Sequence, residues 1–176
     1  ALKWWEFAML REYQQRTIDQ LYKWFADGHK GHPCIELPTG SGKSHIIAAV
    51  CQDAKMQWPD TRILMLTHVK ELIEQNAEKL RQHWPEVPLG IYSAGLGSKR
   101  FDDITFGSIQ SIRRVDPAQL GHFDLVLIDE CHLVSHKQEG GYRKLIDALA
   151  RINPAMRVIG LTATPYRLGH GLITDD

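Results

Sequence analysis

Long apolar stretches are missing: the longest unbroken run, residues 46–51, has six residues, against the roughly 20 that a membrane-spanning helix needs. No transmembrane helix is expected. Cysteine is scarce too, with three residues, Cys34, Cys51 and Cys131, an odd number and far apart, which suits reduced thiols better than a disulfide frame. The first ten residues, ALKWWEFAML, carry Glu6 in their middle and lack a small-residue cleavage pattern, so no signal peptide is expected. These features together favour the cytoplasm. Excess charge of either sign is also lacking: 21 Lys and Arg balance 21 Asp and Glu. Any nucleic-acid binding must therefore come from a local strip of groups, not from bulk charge.

What is present is the composition of one ordinary globular domain, with 176 residues, 43% hydrophobic and 24% charged. Nine histidines are more than expected, and Cys131, His132 and His136 lie close in sequence. With no second ligand pair nearby, that group reads as structural rather than as a zinc site. Helical patterns at 11–26, 43–57, 69–83 and 140–152 alternate with short apolar runs at 34–37, 63–66, 125–128 and 158–161. The runs are rich in branched aliphatics and do not alternate, as expected of parallel strands covered by helices on both faces. A further strand is expected over 104–106, with loops at 84–90 and 93–103.

Each of the four runs leads into polar residues: Pro38-Thr39-Gly40-Ser41-Gly42-Lys43-Ser44, Thr67-His68, Asp129-Glu130-Cys131-His132 and Thr162-Ala163-Thr164. In open α/β sheets ligands sit beyond the carboxyl ends of the strands, so these segments should converge on one edge. Gly40, Gly42, Lys43 and Ser44 between a strand and a helix form the context of a phosphate-binding loop. Glycines let backbone N–H groups converge on phosphate oxygens, Lys43 supplies a point charge, and the Ser44 hydroxyl suits Mg²⁺. Leu37 occupies the first glycine position of the strict pattern. Asp129 suits the metal shell and Glu130 the activation of water.

Gln14 is read from its helical position. With Leu10 as zero and about 100° per residue, Leu21, Gln14, Phe25 and Ile18 fall at roughly 20°, 40°, 60° and 80°, placing an amide in the middle of the apolar stripe. Such a group needs a partner. Adenine is one possibility, and a backbone group of the core is the other.

The segments Leu-Arg-Glu-Tyr-Gln (10–14), Leu-Pro-Thr-Gly-Ser-Gly-Lys-Ser (37–44), Leu-Thr-His-Val-Lys-Glu-Leu (66–72), Phe-Gly-Ser-Ile-Gln-Ser (106–111), Asp-Glu-Cys-His (129–132) and Gly-Leu-Thr-Ala-Thr-Pro-Tyr-Arg (160–167) together resemble the first RecA-like domain of a superfamily-two DExH helicase. The subgroup most similar to these motifs is the RadD-like DNA-repair helicases. The resemblance implies an α/β RecA-like P-loop NTPase domain, with a mostly parallel central sheet and helices on both faces. It would span 10–168, after a lead-in at 1–9 and before a tail at 169–176.

The resemblance further implies that Arg11 and Gln14 hold adenine, and that Thr39, Gly40, Ser41, Gly42, Lys43 and Ser44 hold the phosphates of ATP. Ser44 and Asp129 would hold Mg²⁺, with Lys43, Asp129, Glu130 and His132 as the catalytic set. Thr162 and Thr164 would couple nucleotide state to strand engagement, on a strand lying between those of Leu37 and Asp129. Thr67, His68, Lys70, Gly95, Ser108 and Gln110 match segments that grip one nucleic-acid strand, single-stranded DNA being favoured. Short side chains and backbone N–H groups can contact phosphate without net charge. Ordinary capping would equally explain Thr67 and Ser108, and a structural imidazole would explain His132. Leu2, Trp4, Trp5, Phe7, Met9 and Leu10 suit either adenine stacking or packing of the first helix.

The expected activity is nucleic-acid-dependent ATP hydrolysis, coupled to movement, completed by a second RecA-like domain of the same parent chain. The isolated chain would be a poorly active monomer. Two other readings stay open: a double-strand translocase of restriction or remodelling type, and a nucleotide-gated binding module without turnover.

Overall fold

The computed structural model describes residues 12–29, 31–37, 42–129, 136–162, 166–167 and 171–172. Helix α1 (Glu12–Ala26) leads into strand β1 (Cys34–Glu36), followed by α2 (Lys43–Gln57), β2 (Ile63–Thr67), α3 (Lys70–His83) and β3 (Leu89–Ser93). A 3-10 turn at Ala94–Leu96 precedes β4 (Ser98–Lys99), β5 (Ile104–Ser108), α4 (Ile109–Ile112), α5 (Pro117–Leu120), β6 (Leu125–Asp129), α6 (His136–Ile152) and β7 (Arg157–Thr162). The two-residue strands β8 (Tyr166–Arg167) and β9 (Gly171–Leu172) pair antiparallel.

Seven strands make one sheet in the order β1-β7-β6-β2-β5-β3-β4. All neighbours run parallel except β3 and β4. The carboxyl ends of β1, β7, β6, β2, β5 and β3 therefore share one edge, and β7 does lie between β1 and β6. No helix among the described residues is long and apolar enough to cross a membrane.

The central strands read as unbroken apolar runs because both their faces are covered. Ile63 and Met65 of β2 join one core with Ile18 and Leu21 of α1, Ile46 and Ile47 of α2, and Ile73 and Leu80 of α3. Leu64 and Leu66 point to the other face, into a second core with Ile112 of α4, Leu120 of α5, and Leu145 and Leu149 of α6. All four β2 side chains are fully buried, each worth about 1.5–3 kcal/mol against exposure. Gly107 of β5 has a packing reason. A Cβ there would lie 2.2 Å from Ile112 Cδ1 and 3.0 Å from the Tyr92 carbonyl oxygen, so a side chain at this position would push Ile112 of α4 out of its place over the strand.

Four expectations change. The expected loop segments at 84–90 and 93–103 meet β3 and β4, so a sixth parallel strand and an antiparallel edge strand lie where loops were read. Residues 34–37 do not form a strand buried on both faces: Cys34 and Ile35 are half-buried and Glu36 exposed, because β1 is an edge strand with β7 as its single neighbour. Helix α6 starts at His136, one turn before the expected 140. Helix α3 starts at Lys70, with Val69 in extended conformation as its N-cap.

Candidate functional site

The phosphate-loop helix begins in a way that stability alone would not favour. Gly42, the N-cap of α2, has φ 77° and ψ 39°, and no side chain caps the helix. A non-glycine residue rarely adopts this left-handed conformation, and a Cβ on Gly42 would lie 2.2 Å from Gln14 Nε2. The first turn carries no acidic residue and holds Lys43, the wrong charge for the positive end of a helix dipole. A helix N-terminus of this kind directs its first backbone N–H groups outward, where an anion can approach.

The Lys43 charge is met across the sheet. Its Nζ lies 2.8 Å from Oδ1 of Asp129, with side-chain exposures of 16% and 0%. Asp129 ends β6, and its backbone stands beside Leu161 of β7. The other carboxylate oxygen accepts a 2.8 Å hydrogen bond from Asn76 Nδ2, from the middle of α3. The carboxylate is thus held by a cation from one helix and an amide from another. Ser44, half-buried, follows Lys43 in the first turn of α2.

Gln14 is 2% exposed, in the apolar stripe of α1 with Ile18 and Leu21. Its Nε2 donates to Gly42 O at 3.3 Å, so α1 is tied directly to the turn that opens α2. That bond is the backbone partner considered from the sequence, and it places the amide beside the phosphate loop. Thr162 is fully buried at the end of β7. Its carbonyl accepts from Leu37 N at 2.9 Å, joining the strand before the loop to the Thr162 segment. Arg11, Thr39, Gly40, Ser41, Glu130, His132 and Thr164, with Cys131, lie outside the described residues. Among the described residues no group of three or more His, Cys, Asp or Glu side chains could hold a metal.

The six strand-gripping candidates gather on the neighbouring part of the same edge. Thr67 of β2 stands in register with Ser108 of β5. The Thr67 hydroxyl accepts from Val69 N at 3.2 Å. Ser108 caps α4, accepting from Ser111 N at 3.2 Å. Ser108 thus has the capping role that the sequence left open, whereas Thr67 holds the turn before α3, whose N-cap Val69 makes no side-chain cap bond. Gln110 Nε2 donates to the His68 carbonyl at 3.3 Å, bridging the loop after β2 to α4. Ser111 Oγ in turn accepts from Ala94 N at 3.0 Å. Lys70 opens α3, and its Cδ would lie 3.2 Å from a Cβ on Gly95. The candidates form one connected rim, with Lys70 exposed and Gly95 exposed.

Two side-chain contacts escaped the sequence reading. Asn76 is 1% exposed, yet at about 100° per residue it lies roughly 60° from Ile73 and 40° from Leu80, on the apolar face of α3. The arithmetic that marked Gln14 would have marked it. The second is an imidazole pair, His45 Nδ1 with His83 Nε2 at 2.9 Å, joining the first turn of α2 to the last of α3. Burial, then the nearby Lys79 charge, lowers the His83 pKa, which suits a neutral ring in that contact. A larger apolar cavity, about 1050 Å³, opens at the opposite, amino edge between Tyr22, Phe25, Ala54, Trp58 and Leu125, away from the charged groups described above.

The family model described as "Type III restriction enzyme, res subunit" matches residues 7–167. The chain is 28% identical over 153 residues to the ATP-dependent RNA helicase DHX58 of Mus musculus, covering 74% of this chain and 22% of that protein. It is 25% identical over 154 residues to the ATP-dependent DNA helicase mph1 of Sclerotinia sclerotiorum, covering 78% of this chain and 12% of the relative. The chain thus spans under a quarter of either relative's length. Among solved structures, the Hef helicase domain of Pyrococcus furiosus superposes with a TM-score of 0.70 at 23% identity, over 93% of this chain and 35% of that one. That likeness shows the fold. With the match across 7–167, the chain belongs to the type III restriction enzyme, res subunit family, and its fold is that of a helicase RecA-like domain.

Proposed function

We propose that this chain is the ATP-binding and hydrolysing half of a nucleic-acid-dependent motor. The observation that carries the reading is the ion pair of Lys43 and buried Asp129 at 2.8 Å, set at the uncapped start of α2. A buried carboxylate paired with a lysine adds little to stability over apolar packing. It is instead the arrangement from which an incoming triphosphate can draw the lysine, freeing a carboxylate for a cation.

The β- and γ-phosphates would lie against the N–H groups of the first turn of α2, with Lys43 turning from Asp129 to them. Gln14, fixed on Gly42, would sit at the adenine end with Arg11, and Thr39, Gly40 and Ser41 would wrap the phosphates. The hard oxygen donors of Ser44 and Asp129 fit Mg²⁺, which when bound would neutralise phosphate charge. Glu130, next in sequence to Asp129, would orient a water and take its proton as the water oxygen attacks the γ-phosphorus and ADP leaves. His132 and the Thr162 and Thr164 segment would relay the change to the rim of Thr67, His68, Lys70, Gly95, Ser108 and Gln110, where one strand, single-stranded DNA on this reading, would lie.

The whole protein would need a second RecA-like domain to close the site. The family description, a restriction enzyme subunit, gives the double-strand translocase reading its support. Strand-displacement assays on the intact protein separate translocation alone from unwinding.

The test of the site is calorimetry with ATP and adenosine. Lys43→Ala should weaken ATP more than adenosine, because it removes a phosphate charge and leaves Gln14 in place. Gln14→Ala should weaken both. Equal losses of ATP and adenosine in the Lys43 variant would remove the loop from the reading.

A further inference from the structure

Among the described residues, Asn76 is the side-chain amide that bonds the buried carboxylate. It sits 1% exposed on α3 and donates through Nδ2 to Asp129 Oδ2 at 2.8 Å. Its Oδ1 is buried with no hydrogen-bond partner. A buried acceptor left unsatisfied is costly, so the residue is not explained by stability. Leucine, of similar size, would fill the same apolar stripe of Ile73, Ala77 and Leu80 without that penalty. What leucine could not supply is the donor to Asp129.

Lys43 approaches Oδ1 at 2.8 Å while Asn76 bonds Oδ2, so the two groups meet different carboxylate oxygens. When Lys43 turns to phosphate, Oδ1 is released and Oδ2 keeps the Asn76 bond. A carboxylate fixed through one oxygen presents the other in a single orientation. Hydrogen bonds of this outer kind orient metal-binding carboxylates, and their loss typically costs 10–100-fold in metal affinity. We infer that Asn76 is a positioning residue, holding the Asp129 carboxylate through Oδ2 so that Oδ1 faces the Mg²⁺ accompanying ATP. The inference rests on the nucleotide-site reading above. The helix that supplies Asn76 begins at Lys70, so one rigid element joins the metal carboxylate to the strand-facing rim.

The experiment measures binding of a fluorescent ATP analogue to the intact protein in Mg²⁺ and in EDTA. The ratio of the two affinities reports the metal's contribution. Asn76→Leu, which keeps the branched shape, and Asn76→Ala, which does not, should both cut the Mg²⁺-dependent gain by about tenfold or more, with affinity in EDTA unchanged. The half-saturating Mg²⁺ for phosphate release should rise in parallel. Variants with the wild-type gain overturn the inference and leave the nucleotide site standing. A wild-type protein that shows no ATP binding overturns the site reading itself, and the inference with it. A measurement on the wild type needs no variant. The Asn76 side-chain amide protons should be protected from hydrogen exchange and remain so with Mg²⁺ and ATP added. Exchange at the rate of a solvent-exposed amide in that state would overturn the inference.

Discussion

Removing the Lys43 charge should destabilise the ligand-free protein, and removing the opposing charge should then restore it. Lys43→Met keeps most of the aliphatic length but leaves Asp129, fully buried, with Asn76 as its hydrogen-bonding partner among the described residues. Breaking a buried ion pair from one side costs about 3–5 kcal/mol, because a charge remains without compensation. Lys43 keeps 16% exposure and Asn76 still solvates Oδ2, so the lower end, about 3 kcal/mol, applies here. In a chain of this size that is roughly 6–12 °C in Tm. In the double variant Lys43→Met with Asp129→Asn, the neutral amide oxygen still accepts from Asn76 and no charge is stranded. The double variant should therefore be more stable than Lys43→Met alone, by at least about 1 kcal/mol. Urea denaturation of the four proteins of the cycle, without nucleotide, supplies the numbers. A double variant no more stable than Lys43→Met would refute the argument that the stranded carboxylate is the cause.

Other consequences are open to measurement. Asp53, 7% exposed on α2, accepts from Tyr22 Oη and from Gln57 Nε2, and burial raises its pKa although both hydrogen bonds act in the opposite sense. A raised folded pKa means that this group's contribution is fully present below the unfolded carboxylate pKa and falls as pH rises through the folded one. Asp53→Asn should thus gain stability over wild type at neutral pH, and lose that advantage as pH falls through the carboxylate range. A constant difference across that range would contradict it. The isolated 176-residue chain should hydrolyse ATP very slowly, since an arginine finger from a second domain is worth roughly 10³–10⁵ in turnover. Its strand affinity should show a log–log salt slope of only about −1.5 to −2, from two or three phosphate contacts at roughly 0.7 each. A slope of a full groove, or turnover of several per second, would show the chain to be self-sufficient.

The central strands were legible because burial on both faces leaves no room for alternation: Ile63, Leu64, Met65 and Leu66 are all apolar whichever way they point. Strand β3 was not. Its Leu-Gly-Ile-Tyr-Ser follows two prolines and carries Gly90, which reads as a loop residue. The physical reason for Gly90 is tertiary, since a Cβ there would lie 2.5 Å from the Arg100 carbonyl oxygen. The extra first turn of α6 was hidden by Gly140 and Gly141, which weaken a helical pattern. At the site, Lys43, Gly42 and Asp129 could be read locally because strand, loop and helix chemistry are contiguous in sequence. Asn76 could not be paired with Asp129, 53 residues away, from a single sequence. Its helical position could only say that it needed a partner.

The central claim is that ATP is hydrolysed at the carboxyl edge of this sheet under the control of a bound strand. Phosphate release by the intact protein, with and without single-stranded DNA, for wild type and Glu130→Gln, tests it most directly. The account predicts release stimulated by DNA in the wild type and reduced on the order of a hundredfold or more in the variant, with ATP affinity kept within a few fold. Release indifferent to DNA, or unchanged in Glu130→Gln, would contradict it.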